Sequence, residues 1–136
     1  MRRRVVLTGW GQVTQSKEHT DILDPLGLMS EATRLAADPI GGSDVLSKLN
    51  GIMVVRPLSK YYLSAAEQLA EIIGATPRFT LVSKIGGNSP QALINKAAAM
   101  IARGELESVL VTGAEAFYPR SARAYQRHTL GDVKQY

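Results

Sequence analysis

Four short apolar runs, separated by stretches with a helical pattern, constrain the fold of this chain more than any other feature. They cover residues 5–7, 52–55, 79–82 and 109–111. The runs lack the polar alternation of a strand with one wet face, so we expect strands that are covered on both faces, as in a parallel sheet. With one helical pattern in each interval, the order is β-α-β-α-β-α-β. This order predicts an α/β domain of three layers, in which helices flank a mostly parallel sheet.

Each predicted helix has signals that mark its ends. The first begins at Asp24-Pro25, where the carboxylate can cap free N–H groups and the proline fits the first helical position. The second covers residues 62–73 and ends at Gly74, and the third covers residues 90–103 and ends at Gly104. The residues expected on the buried faces of the second and third helices are Leu63, Ala66, Leu69, Ile73, Leu93, Ile94, Ala97, Ala98 and Ile101.

Composition is typical of globular proteins and excludes several kinds of site. With 136 residues, of which 45% are hydrophobic and 21% charged, the chain is expected to form one packed domain. It contains no cysteine, which excludes disulfides, thiolate metal sites and cysteine nucleophiles. His19 and His128 are isolated in the sequence, so we predict no metal site. The formal charge of +4 indicates either a solvated basic surface or attraction for a phosphorylated ligand. No basic, aromatic-interleaved helix points to nucleic-acid binding.

Hydropathy gives no sign of a membrane segment. None of the apolar runs approaches the length that a membrane-spanning helix requires. The run at residues 5–7 follows three arginines, but it is too short to form the core of a signal peptide. We therefore expect a cytoplasmic protein with no membrane contact.

The segment "KIGGNSPQAL", residues 84–93, connects the third apolar run to the third helix. Ser89 is the expected N-cap, because it precedes a proline and its oxygen can accept hydrogen bonds from first-turn N–H groups. Gly86 and Gly87 permit backbone conformations that are barred to other residues and allow a ligand to approach. The segment is therefore either a tight structural turn or a site for an anion or acyl ligand at a helix N-terminus. A catalytic Ser89 is disfavoured, because the G-x-S-x-G pattern is absent.

Two other features are assigned structural roles. The glycine pair in "LTGWGQVTQS" does not form a dinucleotide-binding fingerprint, because Thr14 stands where the third glycine is needed. Trp10, between the two glycines, is expected to pack at a turn. Glu115 follows the fourth run, at the edge of the sheet where α/β proteins bind ligands. We favour a structural hydrogen bond for its carboxylate.

Three stretches together resemble the N-terminal part of the thiolase superfamily. They are "VVLTGWGQVTQ", "LNGIMVV" and "LVSKIGGNSPQALINKAAAMIARGELESVLVTGAEA". The branch that they resemble is the acetyl-CoA acetyltransferase-like one, which is related to the sterol-carrier thiolases. The likeness covers residues 5–117, which corresponds to the first half of the duplicated thiolase core. We therefore expect a thiolase-like α/β half-domain at 1–113 and a basic polar tail at 114–136 that begins a missing second part.

The resemblance implies acyl-CoA chemistry but not a complete catalytic site. In thiolases the turn before the third helix carries a cysteine that is acylated, and this position corresponds to Gly86. The resemblance implies no catalytic residue in this chain, a substrate-binding turn at Gly86, Gly87, Asn88 and Ser89, and coenzyme A or an acyl-CoA as ligand without a tightly bound cofactor. One hypothesis is an acyltransferase component of lipid metabolism that makes or breaks carbon–carbon bonds and is inactive alone. The alternative is a non-catalytic CoA-binding or dimerisation scaffold, and a weaker one is an unrelated nucleotide-binding module.

The resemblance also implies partners. In the family the strand before the nucleophile turn is an edge strand that pairs across a two-fold axis. Here the corresponding residues are Phe79, Thr80, Leu81, Val82 and Ser83, so we expect a homodimer. Members of this branch often act beside a small OB-fold protein that contains zinc, and such a protein is a second expected partner.

Overall fold

The computed structural model describes residues 3–16 and 22–117 and contains a sheet of three parallel strands. β1 (Gly51–Val54) is central, with β2 (Phe79–Val82) on one side and β3 (Val109–Thr112) on the other. Each strand coincides with an apolar run identified in the sequence. Gly51 pairs with both Phe79 and Val109, so the three strands end together at one edge of the sheet. The predicted α/β class, with a parallel sheet flanked by helices, is confirmed.

The described residues form four α-helices and one short 3-10 helix, of which the last two α-helices connect the strands. In chain order they are α1 (Pro25–Ala37), the 3-10 helix (Asp38–Ile40), α2 (Ser43–Ser47), α3 (Ala65–Ile73) and α4 (Ser89–Ala102). Successive side chains of a strand point to opposite faces of the sheet. Ile52 and Val54 accordingly belong to the core formed with α1 and α3, whereas Met53 packs against α4. All three side chains are fully buried, so β1 joins the two halves of the core.

The predicted start of α1 and the predicted C-terminal ends of α3 and α4 agree with the structure. Asp24 caps α1, and its carboxylate accepts a hydrogen bond from the Gly27 N–H at 2.9 Å. Gly74 and Gly104 follow α3 and α4 with φ of +74° and +76°, a left-handed conformation that favours glycine. These signals act within one helical turn, so the sequence alone is enough to identify them.

A polar cluster fixes α1 to the segment before α3. The Tyr62 hydroxyl donates to Asp24 Oδ2 at 2.7 Å and accepts from the Leu26 N–H at 3.2 Å, while Lys60 Nζ lies 3.0 Å from Asp24 Oδ2. Burial raises the pKa of Asp24, but the hydrogen bonds from Gly27, Tyr62 and Lys60 and the charge of Lys60 together outweigh it. The pKa of this carboxyl is therefore lowered from its usual value. Tyr62 thus anchors this region to α1.

The strand predicted at residues 5–7 is not formed. Residues 3–16 have no regular secondary structure, and Val6 and Leu7 are 71% and 85% exposed. The Arg3 N–H donates to the Ala102 carbonyl at the end of α4, but no backbone hydrogen bond joins this segment to a described strand. A strand requires a neighbour that pairs with its backbone, and an apolar run alone does not supply one.

Two glycines hold the N-terminal segment against α1. A Cβ on Gly9 would lie 2.4 Å from the Ala36 carbonyl oxygen, and one on Gly11 would lie 2.3 Å from the Ala32 carbonyl oxygen. Trp10 is 77% exposed, so the prediction that it packs at a turn is wrong. Because neighbouring residues of an extended segment face opposite ways, contacts of Gly9 and Gly11 with the helix direct Trp10 outward.

The second predicted helix begins later than expected. α3 starts at Ala65, and Leu63, which was expected on its buried face, is 73% exposed. Residues 60–64 are instead irregular, because Lys60 and Tyr62 turn back to reach Asp24. Ile94 of α4, also predicted to be buried, is exposed beside β3. In the described part of the chain, no helix has both the length and the apolar character that crossing a bilayer requires.

Candidate functional site

The loops after β1, β2 and β3 lie at one edge of the sheet, because the strands are parallel and end in register. Open α/β sheets bind ligands at this edge. The candidate site is the turn of residues 83–89, which leads from β2 into α4. The loop after β1, residues 55–64, is hydrogen-bonded both to this turn and to the loop after β3, residues 113–117.

The beginning of the turn is attached to the loop after β1. Ser83 is buried, and its hydroxyl accepts a hydrogen bond from the Arg56 N–H at 3.0 Å and donates to the Lys84 carbonyl at 2.9 Å. Arg56 Nε also donates to the Ser83 carbonyl at 3.2 Å. Arg56 was not identified from the sequence. The only signal for it was a basic residue shortly after a buried strand.

The start of α4 differs from the prediction. Asn88, not Ser89, is the N-cap residue, and its side chain makes no capping hydrogen bond. Ser89 is the first helical residue and is buried, and its hydroxyl donates to the Lys84 carbonyl at 2.7 Å. Because the Ser89 N–H closes a turn onto the Gly86 carbonyl at 3.0 Å, helical backbone begins one residue earlier than proline placement suggested. The hydroxyl of Ser89 therefore closes the turn and does not cap the helix.

Gly86 and Gly87 do not adopt the left-handed conformation for which glycine was expected. Neither has a positive φ. A Cβ on Gly86 would lie 3.0 Å from Asn88 Oδ1 and 3.6 Å from Ser89 Oγ, whereas a Cβ on Gly87 would meet no atom within 4 Å. The backbone at position 86 can therefore carry a side chain, and that side chain would point to the first residues of α4.

The turn is open to solvent in the described part of the chain. The five residues from Lys84 to Asn88 are exposed, and only the flanking Ser83 and Ser89 are buried. Two grooves beside β3 are lined by other residues and do not reach the turn. The described residues thus form the base of the candidate site but do not enclose it.

Glu115 has the structural role that we favoured. Its carboxylate accepts hydrogen bonds from the backbone N–H groups of Leu58 and Ser59 at 2.6 and 2.8 Å. In return, the Ser59 hydroxyl accepts from the Ala116 N–H at 2.9 Å. These bonds connect the loops after β1 and β3, so the edge of the sheet that carries the turn is a linked set of loops.

β2 lies at an edge of the sheet, as the predicted dimer-forming strand must. One side of Phe79–Val82 pairs with β1, and no described residue forms a backbone ladder on the other side. Thr80 Oγ1 donates to Glu67 Oε1 of α3 at 2.7 Å. Pairing of two chains through this strand stays a prediction. His19, His128 and residues 118–136 of the predicted tail lie outside the described residues.

Comparison with known proteins gives no match by sequence and clear matches by structure. No protein-family model matches the chain, and no curated protein matches it in sequence. A monomeric SCP2-thiolase-like protein, type 1, from Mycobacterium smegmatis is 26% identical with a TM-score of 0.64. The match covers 76% of this chain and 22% of that one.

Xanthomonas campestris OleA is a second structural neighbour. An OleA variant bound to cerulenin is 18% identical with a TM-score of 0.62, and the match covers 84% of this chain and 38% of that one. Another OleA variant, with bound lauric acid and lauroyl-CoA, is 20% identical with a TM-score of 0.60 over 84% of this chain and 37% of that one. The chain thus spans less than two fifths of the length of each of these structures. Its fold resembles one portion of a thiolase-like protein, as the sequence predicted.

Proposed function

We propose, from this thiolase-like fold, that the chain is a component of an acyl-CoA acyltransferase that forms or cleaves carbon–carbon bonds, and that it does not turn over alone. A non-catalytic scaffold that binds CoA or forms dimers is the second candidate. In the first candidate the β2–α4 turn takes part in the reaction once the remaining part of the catalytic site is present, whereas in the second it does not. Both use the turn at Gly86, Gly87, Asn88 and Ser89.

The observation that supports the first candidate is the geometry around Gly86. The resemblance assigns the acylated cysteine of thiolases to this position. A side chain here would extend toward the first turn of α4, where free N–H groups and the helix dipole favour a thiolate. The glycine is not required by backbone conformation, so nothing in the turn itself excludes a side chain.

Three observations support inactivity of the chain by itself. It has no cysteine that could form a thioester with an acyl group. The two serines of the turn, Ser83 and Ser89, are buried, and both hydroxyls already donate to the Lys84 carbonyl. The turn is also exposed, so water would reach any acyl group held there.

A CoA-type ligand agrees with the chemistry of the turn. An OleA variant, whose fold this chain shares in part, binds lauroyl-CoA. In this chain Lys84 lies in the turn and Arg56 at its base, and both are exposed cations that can attract the phosphates of CoA. We therefore propose that CoA or an acyl-CoA binds reversibly over the turn, without a permanently bound cofactor.

The test measures thiolysis, binding and acyl transfer in the purified chain. We expect the chain to bind CoA but not to catalyse acetyl-CoA thiolysis. Lys84→Ala should weaken CoA binding, whereas the matched change Lys96→Ala, at an exposed position of α4, should not. Incubation of Gly86→Cys and Gly87→Cys with acetyl-CoA then separates the two candidates. If the turn is a vacated nucleophile site, mass spectrometry will show faster acetylation of Gly86→Cys. Equal slow acetylation of both would favour the scaffold, and turnover by the native chain would contradict inactivity alone.

We propose in addition that two copies pair through β2. Ser83 and Phe79 donate their N–H groups to β1, so Thr80 and Val82 direct their backbone groups outward. Val82→Pro removes one outward N–H, a change that an edge strand tolerates. We expect a dimer for the native chain and a folded monomer for the variant in sedimentation. The related Mycobacterium protein is monomeric, so a native monomer is the outcome that would contradict this proposal. The OB-fold zinc partner stays a prediction.

A further inference from the structure

The backbone of Asn50, the residue before β1, connects the three strands at the edge of the sheet where they begin. We call this edge the amino edge. The Asn50 carbonyl accepts hydrogen bonds from the N–H groups of Arg78 and Phe79 at 2.9 and 3.1 Å. On the other side, the Asn50 N–H donates to the Ser108 carbonyl at 3.1 Å. One residue thus joins the starts of β1, β2 and β3.

The side chain of Asn50 adds a second connection to the segment before β3. Its Oδ1 accepts from the N–H groups of Glu107 and Ser108 at 2.8 and 3.2 Å. No described residue bonds to its Nδ2. The side-chain oxygen therefore serves as an acceptor for two backbone N–H groups that lie just outside the ladder. This requirement accounts for asparagine at position 50.

Glycine at position 51 has a different cause, which is packing. Gly51 is buried, and a Cβ there would lie 3.0 Å from Leu106 Cδ1 and 3.4 Å from Val109 Cγ2. The two requirements together produce the one Asn-Gly pair among the three asparagines of the chain. An asparagine before glycine is especially prone to deamidation, because glycine has no Cβ to hinder attack by its nitrogen.

We propose that Asn50 is a self-modification site that the folded amino edge keeps unreactive and that reacts when this edge opens. In the reaction, the Gly51 nitrogen loses its proton and attacks Asn50 Cγ, ammonia leaves, and a cyclic succinimide forms. Water then opens the ring at either carbonyl and gives aspartate or isoaspartate. The net change is addition of water and loss of ammonia, so the reaction needs no oxidant, reductant or cofactor.

Two sets of hydrogen bonds prevent this attack in the folded chain. The Gly51 N–H donates to the Ser108 carbonyl at 3.1 Å, and the bonds to Oδ1 hold the Asn50 side chain toward Glu107 and Ser108. Both sets must break before the nitrogen can reach Cγ, so the reaction rate reports local opening of the amino edge. Isoaspartate lengthens the main chain by one carbon at the point where three strands begin. We therefore expect this product to be unable to restore the register of the sheet.

The test compares the full chain with a capped synthetic peptide of residues 47–53 in the same mildly alkaline buffer. Mass spectrometry of proteolytic fragments follows Asn50, with Asn88 and Asn95 as internal references. We expect Asn50 to react at least about 30-fold more slowly in the folded chain than in the peptide, because the reaction waits for local opening. In urea that unfolds the chain, Asn50 and the peptide should react at the same rate.

Two serine variants test the opening step. Ser108→Ala removes a hydroxyl that accepts from the Asn50 N–H at 3.3 Å and donates to the Lys48 carbonyl at 3.2 Å. The matched control, Ser47→Ala, removes a hydroxyl that donates to the Asp44 carbonyl of the same helix. We expect deamidation of the folded chain to be about five-fold faster in Ser108→Ala, as for the loss of one net hydrogen bond, and unchanged in Ser47→Ala. In urea both variants should react like the native chain.

Asn50→Asp separates the effect of the new charge from that of the altered main chain. A carboxylate keeps an oxygen for the N–H groups of Glu107 and Ser108, so this variant should fold. The isoaspartate product, separated by chromatography from chain that has reacted in urea, should not refold. Failure of Asn50→Asp to fold would assign the damage to the charge and overturn the argument from the main chain.

The proposal is overturned if Asn50 reacts equally fast in the folded chain and in the peptide, or if it stays intact in urea while the peptide reacts. It is also overturned if the two serine variants change the folded rate equally, or if the isoaspartate product refolds with native stability. None of these measurements involves CoA or the β2–α4 turn. Their outcome is therefore independent of the proposed function.

Discussion

A cysteine at position 86 tests whether the β2–α4 turn is built around a nucleophile. The change needs little adjustment, because the one tight contact of the new Cβ is with the exposed Asn88 side chain, which makes no capping bond. Since φ of Gly86 is not positive, the backbone is not strained by the substitution. Gly87→Cys is the matched control, because its Cβ has no neighbour within 4 Å.

The expected effect is moderate and follows from the exposure of the turn. A helix N-terminus stabilises a negative charge at an exposed position by up to about 1 kcal/mol, which lowers a thiol pKa by about 0.7 unit. At pH 7 the thiolate fraction would then rise from about 3% to about 14%. The lower basicity makes each thiolate about two-fold less nucleophilic, so the net gain in alkylation rate is only about two-fold.

The pH dependence of alkylation is therefore a better readout than the rate at one pH. Rates with iodoacetamide between pH 6 and 10 give the pKa of each thiol directly. We expect the midpoint of Gly86→Cys to lie about 0.7 unit below that of an exposed cysteine, with a smaller decrease for Gly87→Cys. A midpoint for Gly86→Cys at or above that of Gly87→Cys would refute the idea that the turn favours a thiolate.

Three further substitutions, and Gly87→Ala as a control, test contacts of the fold. Asp24→Ala removes a helix cap and its polar partners and should lower the free energy of unfolding in urea by about 2 kcal/mol at pH 7. Because the pKa of Asp24 is lowered in the folded chain, this contribution is complete above about pH 4 and is lost as pH falls through the folded pKa. A stability difference between the native chain and Asp24→Ala that grows on acidification would contradict this. Gly11→Ala should cost about 1–3 kcal/mol, whereas Gly87→Ala should change stability by less than about 0.5 kcal/mol, and equal effects would refute the close contact with α1. Glu115→Ala should accelerate hydrogen exchange of the Leu58 amide but not of the β1 amides, and unchanged exchange would show that the bond is unimportant.

The features that the sequence predicted correctly are local. The cap at Asp24, the left-handed glycines at 74 and 104 and the three apolar strands each depend on residues within one or two turns. Such signals identify the elements, and their order limits how a parallel sheet can be built from them. The position of the candidate turn followed from the same reasoning, because a turn between a parallel strand and the next helix must lie at the carboxyl edge.

The features that could not be predicted depend on distant contacts. Tyr62 interrupts the start of α3 because its hydroxyl reaches Asp24, 38 residues earlier. Gly9 and Gly11 match no ligand-binding motif. Glycine is needed there because the segment lies directly against the backbone of α1, which follows later in the chain. In the candidate site, Ser89 has the carbonyl of Lys84 available and so does not act as a cap. No local pattern encodes these pairings.

The central place of β1 has a consequence for synthesis on the ribosome. Its neighbourhood bonds to residues 27 positions later on one side, where Arg56 meets Ser83, and 58 positions later on the other, where Asn50 meets Ser108. At about 5–20 residues per second, translation of those 58 residues takes about 3–12 s. During that interval β1, which is apolar and buried on both faces in the folded chain, has at least one flank unpaired. We therefore expect the nascent chain to bind chaperones that recognise extended apolar segments.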